Sequence, residues 1–122
     1  MTPLSLVVIT RNAESHIARC LKSVPFASDL VVLDNGSTDR TADIAKACGA
    51  RVITEEWRGF GLQKRRATEL ARTDWVLSLD ADEALSEPAQ VEIQALLSQP
   101  QRVEAYAFPR LSFHLGRWIR HG

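Results

Sequence analysis

Two aspartates separated by a single small residue, Asp80-Ala81-Asp82, stand at the end of the apolar run WVLSL. Residues two apart in an extended segment point the same way, so both carboxylates can face one point. The alanine between them leaves room for a bulky ligand. Hard oxygen donors of this kind suit Mg²⁺ or Mn²⁺, ions that keep part of their coordination shell for substrate phosphates. Such a pair also occurs in solvated acidic turns; its place directly after a buried strand favours the metal-and-phosphate reading. A second polar cluster, Asp34-Asn35-Gly36-Ser37-Thr38-Asp39, follows the apolar run LVVL. Ordinary turn chemistry accounts for it, with Gly36 in the turn and Ser37 or Thr38 as a helix cap. Equally, Asp34 and Asn35 could hydrogen-bond a nucleotide base or ribose. A third, Lys64-Arg65-Arg66, joins Arg58 and Arg72 in a cationic stretch whose one acid is Glu69. It reads either as a solvated helix face or as a place where Lys64 makes a charge-assisted contact to a diphosphate.

The elements that must position these groups alternate along the chain. Residues 5–10 form a short continuous apolar run, the pattern of a strand covered on both faces, closed by Thr10-Arg11-Asn12. Asn12 is expected to cap a helix over 14–24 that ends at Pro25. A second strand is expected over 30–33, a helix over 38–48 stopped by Gly49, and a third strand over 51–54. After a loop at 55–60 come a helix over 61–71 and a fourth strand over 75–79, then a helix capped by Ser86 with Pro88 in its first turn. Beyond Pro100, residues 104–110 and 111–115 read as extended segments that could pair. The final GRWIRHG carries no stop signal.

This alternation predicts an α/β domain: a mainly parallel sheet with helices on both faces. Right-handed crossovers bring the C-terminal strand ends to one edge, where ligands of such open sheets bind. Four polar stretches fall at that edge: Thr10-Arg11-Asn12, Asp34 to Asp39, Glu55 to Gly61 and Asp80 to Glu83.

The 122 residues suffice for one domain, and 45% apolar with 25% charged residues is the balance of a globular protein. Fifteen basic against fifteen acidic residues leave no net charge, so no whole-surface attraction to nucleic acid is expected. Cys20 and Cys48 both fall in helical segments and are expected as free thiols of a reducing compartment. The longest aliphatic runs are four residues, against roughly 20 needed to cross a bilayer, and no signal-peptide pattern opens the chain. A cytoplasmic protein is the expectation. The dinucleotide fingerprint fails, because Gly59 and Gly61 are followed by Lys64 where a third glycine belongs. No P-loop, HExxH or G-x-S-x-G occurs. His16, His114 and His121 are scattered and read as structural or exposed.

Taken together, SLVVITRNAESHIARCLKSV, VVLDNGSTDRTADIA, GFGLQKRRATELA and WVLSLDADE resemble family 2 glycosyltransferases in order and spacing. The details, including the tail YAFPRLSFHLGRWIRHG, are closest to bacterial lipopolysaccharide core glycosyltransferases, the branch with a glucosyltransferase acting on inner-core heptose. The resemblance covers essentially the whole chain. It implies a GT-A fold, a Rossmann-like three-layer sandwich, incomplete at the C-terminus. It also implies inverting, metal-dependent transfer of a sugar, glucose by this likeness, from a UDP-sugar to a glycolipid or saccharide acceptor of the cell envelope. Peripheral association with the inner face of the bacterial inner membrane would come through that acceptor.

Carried over position by position, the donor site would comprise Thr10, Arg11, Asn12, Asp34, Asn35, Ser37, Lys64, Asp80 and Ala81. Lys64 stands where many relatives have an arginine, and Arg11 where many have a tyrosine near the base. Asp82, with Asp80, would hold the Mg²⁺ or Mn²⁺. In this family the general base is a carboxylate beyond the acceptor-side loop. Glu87, Glu92 and Glu104 are the acids after Glu83, and none is assigned as that base. The alternative reading is therefore a nucleotide-sugar-binding fragment without catalysis. A nucleotidyltransferase would need a glycine-rich loop where Thr10-Arg11-Asn12 stands, and a phosphoacceptor domain using Asp34 would need an acidic pair after the first strand.

Overall fold

The computed structural model describes residues 3–98 and the strand backbones of 111–113 and 119–121. Five strands form one parallel sheet in the order β3-β2-β1-β4-β6: β1 (Leu4–Thr10), β2 (Asp29–Asp34), β3 (Arg51–Thr54), β4 (Trp75–Asp80) and β6 (Leu111–Phe113). Between β4 and β6 lies β5 (Glu83–Leu85), which pairs antiparallel with β7 (Ile119–His121) as a separate two-stranded sheet. The helices are α1 (Ile17–Lys22), α2 (Thr41–Ala47), α3 (Phe60–Leu70) and α4 (Glu87–Ser98).

Successive residues of a strand face opposite sides, and here both sides are covered. Leu4, Leu6 and Val8 of β1, with Val32, Leu77 and Leu79, pack against Ile17, Cys20 and Leu21 of α1, Ala45 of α2 and Ile93 of α4. Val7, Val31, Leu33 and Val76 turn the other way, onto Ala67 of α3. Two-sided burial explains why these strands read as unbroken apolar runs. The three-layer arrangement expected from the sequence is the one observed.

Two helices start later than the sequence suggests, because their leading residues are engaged across loops. Asn12 does not cap α1: it takes a left-handed conformation (φ 51°), and α1 begins after His16 without a side-chain cap. Nor does Ser37 or Thr38 cap α2, which follows Arg40; the Asp39 side chain instead accepts the Thr41 backbone N–H. Gly49, at φ 90°, does end the α2 turn, and Ser86 Oγ accepts the Ala89 N–H at the start of α4. Strand β5 was hidden in the sequence, three residues being too short a pattern to register. The expected extended segment 104–110 lies outside the described residues, as do 114 and 115. Leu111–Phe113 pairs in parallel with β4.

At the N-terminal edge of the sheet, Asp29 gathers three partners. Arg51 donates to its carboxylate at 3.1 Å, the Arg72 N–H at 2.9 Å and the Ser5 hydroxyl at 2.8 Å, while Arg51 also reaches the Leu70 carbonyl at 2.8 Å. Burial alone would raise the Asp29 pKa, but the Arg72 N–H, Ser5 and Arg51 outweigh it and hold the carboxyl below its ordinary value. This knot ties β1, β2, β3 and the end of α3 together on the side away from the polar loops.

Candidate functional site

Strand order reverses between β1 and β4: from β1 the chain moves outward to β2 and β3, then returns to place β4 on the other side. The crossover connections therefore leave β1 and β4 in opposite directions, and a crevice opens above their C-terminal ends. Ile9 is the register partner of Asp80, and Thr10 that of Asp34. A cleft of about 630 Å³ occupies this place, bounded by the β1 exit (Thr10, Arg11, Asn12), the β4 exit (Asp80, Ala81, Asp82) and, from the flanking loops, Asn35, Trp57 and Phe60.

The loops after β1 and β2 are stitched to each other. Asn12 Oδ1 accepts the Thr38 N–H at 2.8 Å, and the Asn12 N–H donates to Ser37 Oγ at 2.8 Å. One residue on, the Ala13 N–H donates to Thr41 Oγ1 at 2.8 Å. Asp34 lies beneath this seam, 3% exposed, accepting both the backbone N–H and the hydroxyl of Ser37. Asp34 and Ser37 thus brace the rim and do not line the cleft, whereas Thr10, Arg11, Asn12 and Asn35 do. Thr10 Oγ1 is buried with no hydrogen-bond partner among the described residues.

The two aspartates differ in setting. Asp82 is exposed, while Asp80 is half-buried. The Asp80 N–H donates to Glu83 Oε1 at 2.8 Å, closing the turn, so Glu83 is an internal brace and not a loose surface charge. Behind it, the Cys20 thiol donates to the Asp80 carbonyl at 3.5 Å. Burial, followed by the negative charge of Glu83, Asp80 and Asp82, pushes the Cys20 pKa up to about 12. The thiol therefore stays neutral and serves as packing under the motif. Both cysteines are free, as expected.

The cationic stretch divides. Arg66 pairs with Glu55 across the β3–α3 loop at 2.8 Å, so Glu55 is a second acid of the patch that linear proximity did not suggest. Its carboxyl is held below the ordinary value by that hydrogen bond. Lys64 does not line the cleft; its ammonium lies 5.1 Å from the centre of the Phe60 ring, which does. Phe60 in turn meets Trp57 edge-to-face at 5.9 Å, and both rings are more than half exposed. Gly59, at φ 98°, lets the chain swing from this loop directly into α3. Trp57 and Phe60, which no motif marks as site residues, line the cleft, as does His16, which the sequence reads as structural or exposed, and Gln63 is buried behind them. The signal for Trp57 and Phe60 is an aromatic pair around Gly59 in a loop at the ligand-binding edge; His16 and Gln63 carry none. Glu87 and Glu92 border a separate groove on α4.

Residues 5–121 match the model of the family described as glycosyl transferase family 2, and the chain belongs to that family. An uncharacterized glycosyltransferase of Rickettsia typhi is 41% identical over 119 residues, which are 95% of this chain and 41% of the relative. The lipopolysaccharide core biosynthesis glycosyltransferase LpsC of Rhizobium meliloti is 29% identical over 93% of this chain and 44% of its own length. The chain thus spans about two fifths of the curated relatives it matches. Among solved structures, glucosyl-3-phosphoglycerate synthase of Mycobacterium tuberculosis, in complex with Mn²⁺, UDP and glucosyl-3-phosphoglycerate, superposes with a TM-score of 0.65 at 28% identity. That match covers 80% of this chain and 40% of the synthase. The fold is accordingly of the GT-A type.

Proposed function

We propose that the cleft between the β1 and β4 exits binds a UDP-sugar and that the chain is the donor-binding part of an inverting glycosyltransferase acting on a cell-envelope saccharide or glycolipid. The observation that carries this reading is the convergence of Asp80-Ala81-Asp82 with Thr10-Arg11-Asn12 and Asn35 around one cleft at the switch point of a parallel sheet. The synthase that shares the fold is known in complex with Mn²⁺, UDP-glucose and phosphoglyceric acid, which supports a UDP-sugar, glucose among the candidates, and a divalent cation here. The likeness to LpsC supports a lipopolysaccharide-core acceptor. Among the described residues no helix is long and apolar enough to cross a membrane.

The donor set fits a hard divalent cation. Among the described residues no three His, Cys, Asp or Glu side chains converge as a closed metal cage. Two carboxylates with open positions are what Mg²⁺ or Mn²⁺ takes when phosphate oxygens complete its shell. Asp82 would hold the ion, with Asp80 beside it. When bound, the ion would supply positive charge against the departing diphosphate while the anomeric carbon passes through an oxocarbenium-like state. Thr10 lines the cleft, and its Oγ1, buried and without a partner among the described residues, would meet a polar group of the nucleoside on a small side-chain rotation. Arg11 and Lys64, at or near the rim, add positive potential towards the diphosphate. Asp34 and Ser37 act by bracing the loop that carries Asn35.

The test is thermal stability with UDP or UDP-glucose, with and without Mn²⁺, beside Asp82→Ala. Ligand at a hundred times its dissociation constant adds about 2.7 kcal/mol to a folded binder. A Mn²⁺-dependent rise in Tm that Asp82→Ala abolishes is expected. A folded chain that no nucleotide stabilises sinks the proposal.

A further inference from the structure

Gln63 is fully buried on α3, behind the cleft, yet it is polar and both ends of its amide are engaged. Its Oε1 accepts the backbone N–H of Arg58 at 3.1 Å, and its Nε2 donates to Asn35 Oδ1 at 2.6 Å. A carboxamide viewed alone can be turned end for end, but a backbone N–H can only donate. The Gln63 group facing Arg58 must therefore be the oxygen, and the group facing Asn35 must be the NH2. Asn35 must in turn offer its oxygen to Gln63. Its own NH2 group is left without a hydrogen-bond partner among the described residues, on a side chain that lines the cleft.

We propose that Gln63 is a positioning residue that locks the Asn35 amide with its NH2 toward the cleft, so that the site selects a nucleobase presenting a carbonyl oxygen there and rejects one presenting an amino group. This rests on the nucleotide-binding reading above and adds the device that sets base choice. Uracil and cytosine differ in this respect: position 4 of the ring carries a carbonyl in one and an amino group in the other. An amino group set against the Asn35 NH2 leaves two donors facing each other, one or both unsatisfied, whereas the carbonyl completes the chain Arg58 N–H, Gln63, Asn35, base. A site built to pair a polar group discriminates strongly against the analogue that leaves it unpaired. The same chain ties the loop carrying Trp57 and Arg58 to the end of β2, so the polarity of Asn35 and the placement of that loop depend on one side chain.

The experiment is calorimetric titration of this chain with UDP and with CDP, each with Mn²⁺, in wild type, Gln63→Glu and Asn35→Asp. Wild type is expected to bind UDP at least about tenfold more tightly than CDP, a ratio worth about 1.4 kcal/mol. Gln63→Glu still accepts from Arg58 but has no hydrogen to give Asn35, whose amide is then free to turn. The UDP-to-CDP ratio should fall about tenfold or more. Asn35→Asp, at a half-buried position, offers acceptors alone and should shift the ratio the same way. The two nucleotides carry the same charge, so the added carboxylate cancels in that ratio. Variants that weaken both nucleotides equally, leaving the ratio unchanged, overturn the proposal and reduce Gln63 to a structural residue. Equal affinity of wild type for UDP and CDP overturns it too, while the nucleotide reading stands. Binding of neither nucleotide by folded wild type overturns both.

Discussion

The Asn12 side-chain oxygen accepts the Thr38 backbone N–H at 2.8 Å, joining the loop that leaves β1 to the loop that leaves β2. Asn12 also adopts φ 51°, a left-handed conformation that Asn tolerates better than most residues. Asn12→Ala removes the acceptor and places a Cβ-bearing residue without that tolerance, and should cost about 1–2 kcal/mol in urea unfolding. Asn12→Gly relieves the backbone and should recover part of that loss, though not the hydrogen bond. Equal stability of Asn12→Ala and wild type would falsify the seam as a stabilising contact.

Asp29 couples stability to acid. Its pKa in the folded chain lies below the ordinary 3.8, because of its hydrogen bonds to the Arg72 N–H, Ser5 and Arg51, which outweigh burial. A depressed carboxyl contributes stability that is fully present above the unfolded pKa and is lost as pH falls through the folded one. The contribution of Asp29 should therefore be constant at neutral pH and decline below about pH 4. Asp29→Asn should lower stability near pH 7 and show a shallower loss between pH 4 and pH 2. Parallel wild-type and variant pH profiles by chemical denaturation would remove Asp29 from this role.

Trp57 is 54% exposed and rests edge-to-face on Phe60 beside the cleft. Nearly half of its surface is covered, so Trp57→Ala should cost about 1–2 kcal/mol, less than truncating a fully buried tryptophan. If its ring faces bound nucleotide-sugar, affinity should drop by about tenfold, the range of aromatic stacking on a base. Calorimetry showing unchanged affinity would make Trp57 a bystander of the site.

Ser86 Oγ accepts the Ala89 N–H at 3.3 Å in the first turn of α4. Ser86→Ala should destabilise by about 1 kcal/mol, and Ser86→Asp should retain most of the cap and favour the helix dipole. Nucleotide affinity should be the same in all three proteins, since α4 does not line the cleft. A change in affinity would argue for coupling between α4 and the Asp80 turn.

The extent to which the site was legible differs from residue to residue. Asp80 and Asp82 stood out because an acidic pair directly after an apolar strand is improbable in a core and predictable at a sheet edge. Asn35 was visible as part of a turn, yet its orientation was not, because Gln63 lies 28 positions away in the chain. Lys64 was expected near a diphosphate; it does not line the cleft itself, and its ammonium lies over the ring of Phe60, which does.

What the amino-acid order determined by itself was the fold class and the edge at which chemistry gathers. Apolar periodicity marks the long strands and helices, alternation dictates a parallel sheet, and chain handedness then places the ends of those parallel strands on one side. The tertiary structure alone decided which polar groups meet. Hydrogen bonds such as Asn12 to Thr38, Arg66 to Glu55 and Gln63 to Asn35 join residues that no local pattern relates. The reason is physical: hydrophobic burial is non-directional and readable from spacing, whereas a hydrogen bond exists within a few tenths of an ångström and a narrow range of angles. Packing had to bring β1, β2 and α3 together before Asn35 could have a direction.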